Sequence, residues 1–273
     1  MTFILHHRTI EPEGARKTAF VLHGALGSGQ NFTRFVQRLA KDRPEYRYVL
    51  PDLRHHGQSA GAPPPNTLAA CAADLRRLGE ALGGPPELVI GHSFGGKVAI
   101  EYARQQPARL EQVWVLDSLP GAQPGAFEDS EIIRVMNAVR SVPMPAGSRR
   151  DVTSFLVQQC GLSSGLAEWM GTNLKRENDH YVWVFDTRAI EELMIDYFRV
   201  DLWPYLAETR EHPDFRLVVA ERSDRWTPEM RKRARELPPS ARATYHELRD
   251  SGHWVHVDNP DGLLEIMLQH MPR

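Results

Sequence analysis

Val89-Ile90-Gly91-His92-Ser93-Phe94-Gly95-Gly96-Lys97 reads as an apolar strand, a G-x-S-x-G turn and the start of a helix continuing through Val98-Ala99-Ile100-Glu101-Tyr102-Ala103. This order describes a nucleophile elbow, in which a serine sits on a tight strand-to-helix turn with its hydroxyl lifted above a sheet. Gly91 and Gly95, two residues either side of Ser93, leave room for such a turn, because a side chain at either place would collide with the neighbouring strand or helix. Gly91 to Lys97 also fits G-x-x-x-x-G-K, the phosphate-cradling loop. That loop needs Ser or Thr next to hold magnesium, and Val98 stands there. The serine reading is therefore preferred.

Outward from the elbow, apolar runs alternate with helical spacing. Residues 18–22, 46–50, 87–90, 112–116, 216–220 and 243–248 read as strands. Residues 31–41 place Phe32, Phe35, Val36 and Leu39 on one helical face, and Thr67 can cap a helix carrying Leu68, Cys71, Leu75 and Leu78. Helices are also expected over 228–237 and 260–270. Repeated strand–helix alternation implies a mostly parallel sheet covered on both faces. Between about residues 118 and 206 the pattern turns helical, over 129–140, 152–160, 166–175 and 187–197, without clear strands. The expected organisation is a core of 1–117 and 207–273, with 118–206 inserted as a helical cap.

The composition is that of an ordinary globular enzyme-sized chain: 273 residues, 41% hydrophobic and 25% charged. A net charge of −2 gives no electrostatic footprint for nucleic acid or an anionic membrane. Cys71 and Cys160 form neither a disulfide framework nor a metal pattern. The first eight residues lack the apolar stretch of a secretory signal, and no run approaches the roughly 20 apolar residues of a membrane span. A cytoplasmic protein without stable membrane insertion is expected; nothing in the sequence speaks to oligomeric state.

A serine hydroxyl is a poor nucleophile at neutral pH and needs a base. His253, in Asp250-Ser251-Gly252-His253-Trp254, follows the last strand and is the candidate. His256 invites a packing role. Two carboxylates could orient the base: Asp117, after the strand next to the elbow strand, and Asp224, after the late strand at 216–220. The tetrahedral intermediate needs backbone N–H donors, expected from Phe94 and from Ala25 in His23-Gly24-Ala25-Leu26-Gly27. His23 reads better as a structural histidine than as a second base, although it, Leu26, His92 and Trp254 are candidate substrate-pocket residues. The loop Asp52-Leu53-Arg54-His55-His56-Gly57-Gln58-Ser59 reads as a hydrogen-bonded buttress. For Lys97 a structural salt bridge weighs at least as much as a substrate contact. In the middle stretch Phe127, Val135, Trp169, Trp183, Phe185 and Tyr197 could line an acyl or aromatic pocket.

Together, His23-Gly24-Ala25-Leu26-Gly27-Ser28, the Asp52 loop, Gly91-His92-Ser93-Phe94-Gly95-Gly96-Lys97 and Gly252-His253-Trp254-Val255-His256 resemble the α/β-hydrolases. Within them the chain is most similar to the YbfF-type esterase subfamily. The resemblance covers most of the chain, the middle stretch least. It implies an α/β-hydrolase fold with a helical cap, hydrolysis of small or acyl-chain esters and thioesters, and no cofactor or metal. It also favours Asp117 as the acid, since the subfamily typically carries Asp there and Ser where Ser223 stands, which suggests that Ser223 assists His253 by a hydrogen bond. This chain departs from the subfamily in having Asp224, and in reading Asp117-Ser118-Leu119-Pro120 where D-I-[AS]-P is frequent.

Other chemistries on this fold remain as alternatives. Leu22 to Ser28 is similar to the corresponding loop of the menaquinone-pathway synthase, a lyase-type relative, and a non-catalytic ligand-binding relative is a third reading. Dehalogenases are disfavoured, because those relatives carry Asp where this chain has Ser93.

Overall fold

The computed structural model describes residues 3–105, 109–209 and 211–272; residues 1–2, 106–108, 210 and 273 of the expected core segments lie outside them. The chain runs β1 (His7–Ile10), β2 (Lys17–Leu22), α1 (Thr33–Asp42), β3 (Tyr46–Pro51), α2 (Leu68–Ala81), β4 (Leu88–His92), α3 (Phe94–Arg104) and β5 (Gln112–Leu116). There follow α4 (Glu131–Ser141), α5 (Arg149–Gln158), α6 (Ser164–Gly171), β6 (Leu174–Glu177), β7 (His180–Trp183), α7 (Thr187–Arg199) and α8 (Trp203–Ala207). The last part holds β8 (Asp214–Ala220), α9 (Pro228–Arg235), β9 (Ala243–Leu248), α10 (Val255–Asp258) and α11 (Pro260–His270).

The main sheet has the order β1-β3-β2-β4-β5-β8-β9 among the described residues, with every pairing parallel except β1 against β3. β4 and β5 are buried along their whole length, as strands covered on both faces must be. Alternation along the strands divides the core in two. Phe20, Leu22, Val89, Val113, Val115, Leu217 and Val219 point to the side packed by Leu75 of α2 and Val98 of α3. Val21, Ile90, Trp114, Leu116 and Val218 point to the side packed by Val36 of α1 and Met267 of α11. The elbow serine thus emerges between buried central strands and a buried helix.

Caps explain where the helices start. Thr67 Oγ1 accepts from Ala70 N, and Ser130, Ser148, Ser163 and Thr227 accept in the same way before α4, α5, α6 and α9. Each satisfies an amide that has no acceptor within its own helix.

Two expectations are corrected. The sheet begins not at residues 18–22 but at β1, whose four residues His-Arg-Thr-Ile carry too little apolar pattern to announce an edge strand. The stretch between β5 and β8 is not purely helical, because β6 and β7 form an antiparallel hairpin. Leu166, Met170 and Leu174 share helical spacing, which favours one helix to residue 175. The helix instead stops at Gly171, and Asn178, with φ +53°, supplies the left-handed residue of a two-residue hairpin turn.

Candidate active site

The elbow is dictated by its glycines. A Cβ on Gly91 would lie 2.2 Å from Gly95 O, one on Gly95 2.5 Å from His23 O, and one on Gly96 2.5 Å from Ser118 Cβ. The chain therefore turns where side chains are absent, and Ser93 takes φ +53°, ψ −119°, a conformation a non-glycine residue holds only when its surroundings enforce it.

His253 stands on the loop after β9, with its Nδ1 2.7 Å from Asp117 Oδ2. Asp117 follows β5 and has no solvent exposure. Its Oδ1 accepts from Ala220 N at 3.1 Å, and its Oδ2 also accepts from the Ser223 hydroxyl at 2.7 Å. The carboxylate so held leaves Nδ1 of His253 as the protonated nitrogen and Nε2 as the free base. Burial lowers the pKa of His253 well below 6.5, and the nearby Arg225 and His256 push the same way. Burial raises the Asp117 carboxyl above its usual value, opposed by the bonds from Ser223 and Ala220. Asp224 is exposed to solvent, and His253 Nδ1 meets buried Asp117 instead of it. Ser223 itself bonds Asp117 rather than His253.

Ser93 and His253 share the wall of a cavity of about 540 Å³. Its wall includes Ala25, Leu26, His92, Phe94 and Trp254 from the core, and Ile132, Val135, Leu166, Trp169, Met194, Tyr197 and Phe198 from between β5 and β8. Of the aromatic candidates, Phe127, Trp183 and Phe185 do not line it. Phe127 packs on Phe198 and Trp183 stacks on Phe185 instead. Glu131 and Arg225 also face the cavity and pair with each other at 2.9 Å; no spacing in the sequence signals this pair.

His23 is not in the cavity wall. Its Nδ1–H donates to Gly24 O at 2.7 Å, and its Nε2 accepts from Leu53 N at 2.9 Å, which spends both nitrogens on structure. Asp52 in turn accepts from the Gly29 and Gln58 amides, so the Asp52 loop supports the turn that carries Ala25. That turn lies close to the serine: a Cβ on Gly24 would stand 3.3 Å from Ser93 Cβ. His92 is buried and donates its Nε2–H to the His253 carbonyl at 2.7 Å, tying the residue before the serine to the histidine loop. His256 stacks on Phe32 with ring centroids 3.9 Å apart.

Lys97 does not line the cavity, and it forms no salt bridge among the described residues. It is buried and donates to Gly121 O at 2.8 Å and Tyr197 O at 2.6 Å, with its ammonium over the Tyr197 ring. The helix α3 carries it away from the cavity and toward the segment after β5. Desolvation lowers its pKa to about 7.

The profile of the alpha/beta hydrolase family matches residues 19–266. The chain belongs to that family. This alpha/beta hydrolase is 26% identical over 270 residues to the sn-1-specific diacylglycerol lipase ABHD11 of Mus musculus, covering 96% of this chain and 83% of the relative. It is 23% identical over 274 residues to esterase YbfF of Escherichia coli, covering 99% of each. A solved marine microorganism esterase superposes with a TM-score of 0.83 at 22% identity, covering 99% of this chain and all of that one. With relatives named as esterases and lipases, the alpha/beta hydrolase described here is an enzyme of carboxylesterase type. Among its described residues no helix is long and apolar enough to cross a membrane.

Proposed function

We propose that the chain hydrolyses carboxylic esters or thioesters of small molecules through an acyl-enzyme on Ser93. The observation that carries this reading is the 2.7 Å contact of His253 Nδ1 with buried Asp117, made by a histidine that shares one cavity wall with Ser93. Ser93 Oγ attacks the carbonyl carbon as His253 Nε2 takes its proton, and Asp117 steadies the imidazolium so formed. The amides of Phe94 and Ala25 receive the oxyanion. Phe94 opens α3, where the first amides have no intrahelical acceptor and the helix dipole favours negative charge. His253 then protonates the leaving alcohol or thiol, and a water activated by the same nitrogen releases the acid.

In this reading residues 118–206 are the cap, which supplies the apolar side of the cavity. Ile132, Val135, Leu166 and Met194 suit an aliphatic acyl chain, and the lipase activity named for the mouse relative agrees with that choice. The test is a series of p-nitrophenyl esters from acetyl to lauroyl, with wild type and Ser93→Ala in parallel. Turnover that vanishes in Ser93→Ala is expected. Folded wild type that cleaves no member of the series would overturn the reading in favour of lyase or binding chemistry.

A further inference from the structure

Leu26 is buried and has φ +60°, although leucine has no local reason to adopt a left-handed backbone. It occupies the third position of the turn Gly24-Ala25-Leu26-Gly27, closed by Gly27 N donating to Gly24 O at 3.1 Å. Of the two central residues only Leu26 has positive φ, the pattern of a type II turn, whose third position favours glycine. From outside the turn, Asn173 reaches it: its Nδ2 donates to Leu26 O at 3.0 Å across 147 residues of sequence, in a buried setting.

Asn173 is itself firmly placed. Its amide donates to Met170 O at 2.9 Å and its carbonyl accepts from Val184 N at 2.9 Å, which fixes it between the end of α6 and the exit of β7. It lies 4% exposed, without a place in the cavity wall. The carbonyl it grips belongs to the residue after Ala25, two peptide units beyond the Ala25 amide, in a turn packed against Ser93.

We propose that Asn173 is a positioning residue for the oxyanion donor, holding Leu26 in its left-handed conformation so that the Ala25 amide faces the reacting carbonyl. This rests on the ester-hydrolase reading with Ala25 as a donor. It makes the inserted segment a part of the catalytic geometry as well as a cover, because among the described residues the side-chain hydrogen bond on the Leu26 carbonyl comes from that segment.

The test compares wild type, Asn173→Asp, which keeps the volume and loses the donor, and Asn173→Ala. Each is measured for kcat and KM on one p-nitrophenyl ester, for inhibition by a trifluoromethyl ketone with the same acyl chain, and for thermal unfolding. The ketone forms an anionic tetrahedral adduct with the serine and so needs the oxyanion donors. Expected is a fall in kcat of about 10- to 100-fold with KM nearly unchanged, and a matching loss of ketone affinity in whichever variants remain folded at the assay temperature. A folded variant with kcat and ketone affinity within twofold of wild type would overturn the proposal. So would a fall in melting temperature without selective loss of the ketone, which a merely structural bond would give. If wild type hydrolyses no ester and binds no ketone, the parent reading fails and takes this one with it. Wild-type turnover with unaffected variants refutes the role of Asn173 alone.

Discussion

The Ser223 hydroxyl donates to Asp117 Oδ2 at 2.7 Å, the same oxygen that meets His253 Nδ1 at 2.7 Å. One carboxylate oxygen therefore serves two donors, and removing either strengthens its hold on the other. In Ser223→Ala the carboxylate loses a partner, concentrates its charge on the imidazole and favours the imidazolium. The pKa of His253 should rise, and kcat/KM should fall several-fold at low pH with little change at high pH. Asp117→Asn should cost about 10⁴-fold in kcat, because an amide supports the wrong tautomer, whereas Asp224→Asn should stay within twofold. Steady-state kinetics on the three variants checks this; equal losses in Asp117→Asn and Asp224→Asn would refute the assignment.

A second expectation concerns pH. Burial disfavours the charged form of His253, and Arg225 and His256 add to the effect, so its pKa lies well below 6.5. A base with a lowered pKa stays unprotonated to lower pH. The acid limb of kcat/KM should accordingly lie below pH 6.5, and Arg225→Gln should move it upward. A kcat/KM profile from pH 4.5 to 8.5 decides; a limb at or above 6.5 in wild type would contradict the burial argument.

Lys97 gives a prediction about stability. Its ammonium is buried with two carbonyls and no carboxylate partner among its hydrogen bonds. Lys97→Met strands Gly121 O and Tyr197 O, at about 1–3 kcal/mol for each unpaired group, partly offset by removal of a desolvated charge. The folded pKa of about 7 lies below the ordinary 10.5. Between those values the unfolded chain binds more protons, so the lysine's contribution to stability grows as pH rises from 7 toward 10.5. The melting-temperature gap between wild type and Lys97→Met should widen over that window. A gap independent of pH would show that the lysine titrates normally.

Much of this geometry was legible in the sequence because it depends on local chemistry. Gly91 and Gly95 announce the elbow, since contacts of 2.2 and 2.5 Å to backbone oxygens forbid any side chain. Thr67 announces its helix by the bond it makes three residues on. What the sequence left open is what depends on packing between distant segments. The choice between Asp117 and Asp224 turns on which carboxylate a loop 136 residues downstream meets. Asn173 and the Glu131–Arg225 pair have no local signature, because their partners lie on other elements. Trp183 and Phe185 resembled Trp169 as pocket candidates, and only the fold separates a ring stacked on its neighbour from a ring in the cavity wall.

Trp169 offers the clearest test of acyl selection. Its ring stands in the cavity wall and meets Trp254 edge-on with centroids 4.9 Å apart. It is partly exposed rather than part of the buried core, so truncation should enlarge the cavity at small cost in stability. In Trp169→Ala the optimum of the p-nitrophenyl ester series should move to a longer chain. Short esters should lose kcat/KM by about 10-fold, as expected when 1–3 kcal/mol of apolar contact is removed. Val135→Phe, filling the same cavity from α4, should move the optimum the other way. If both variants keep the wild-type chain-length profile, the acyl chain lies elsewhere, and the aromatic wall contacts the alcohol side of the ester instead.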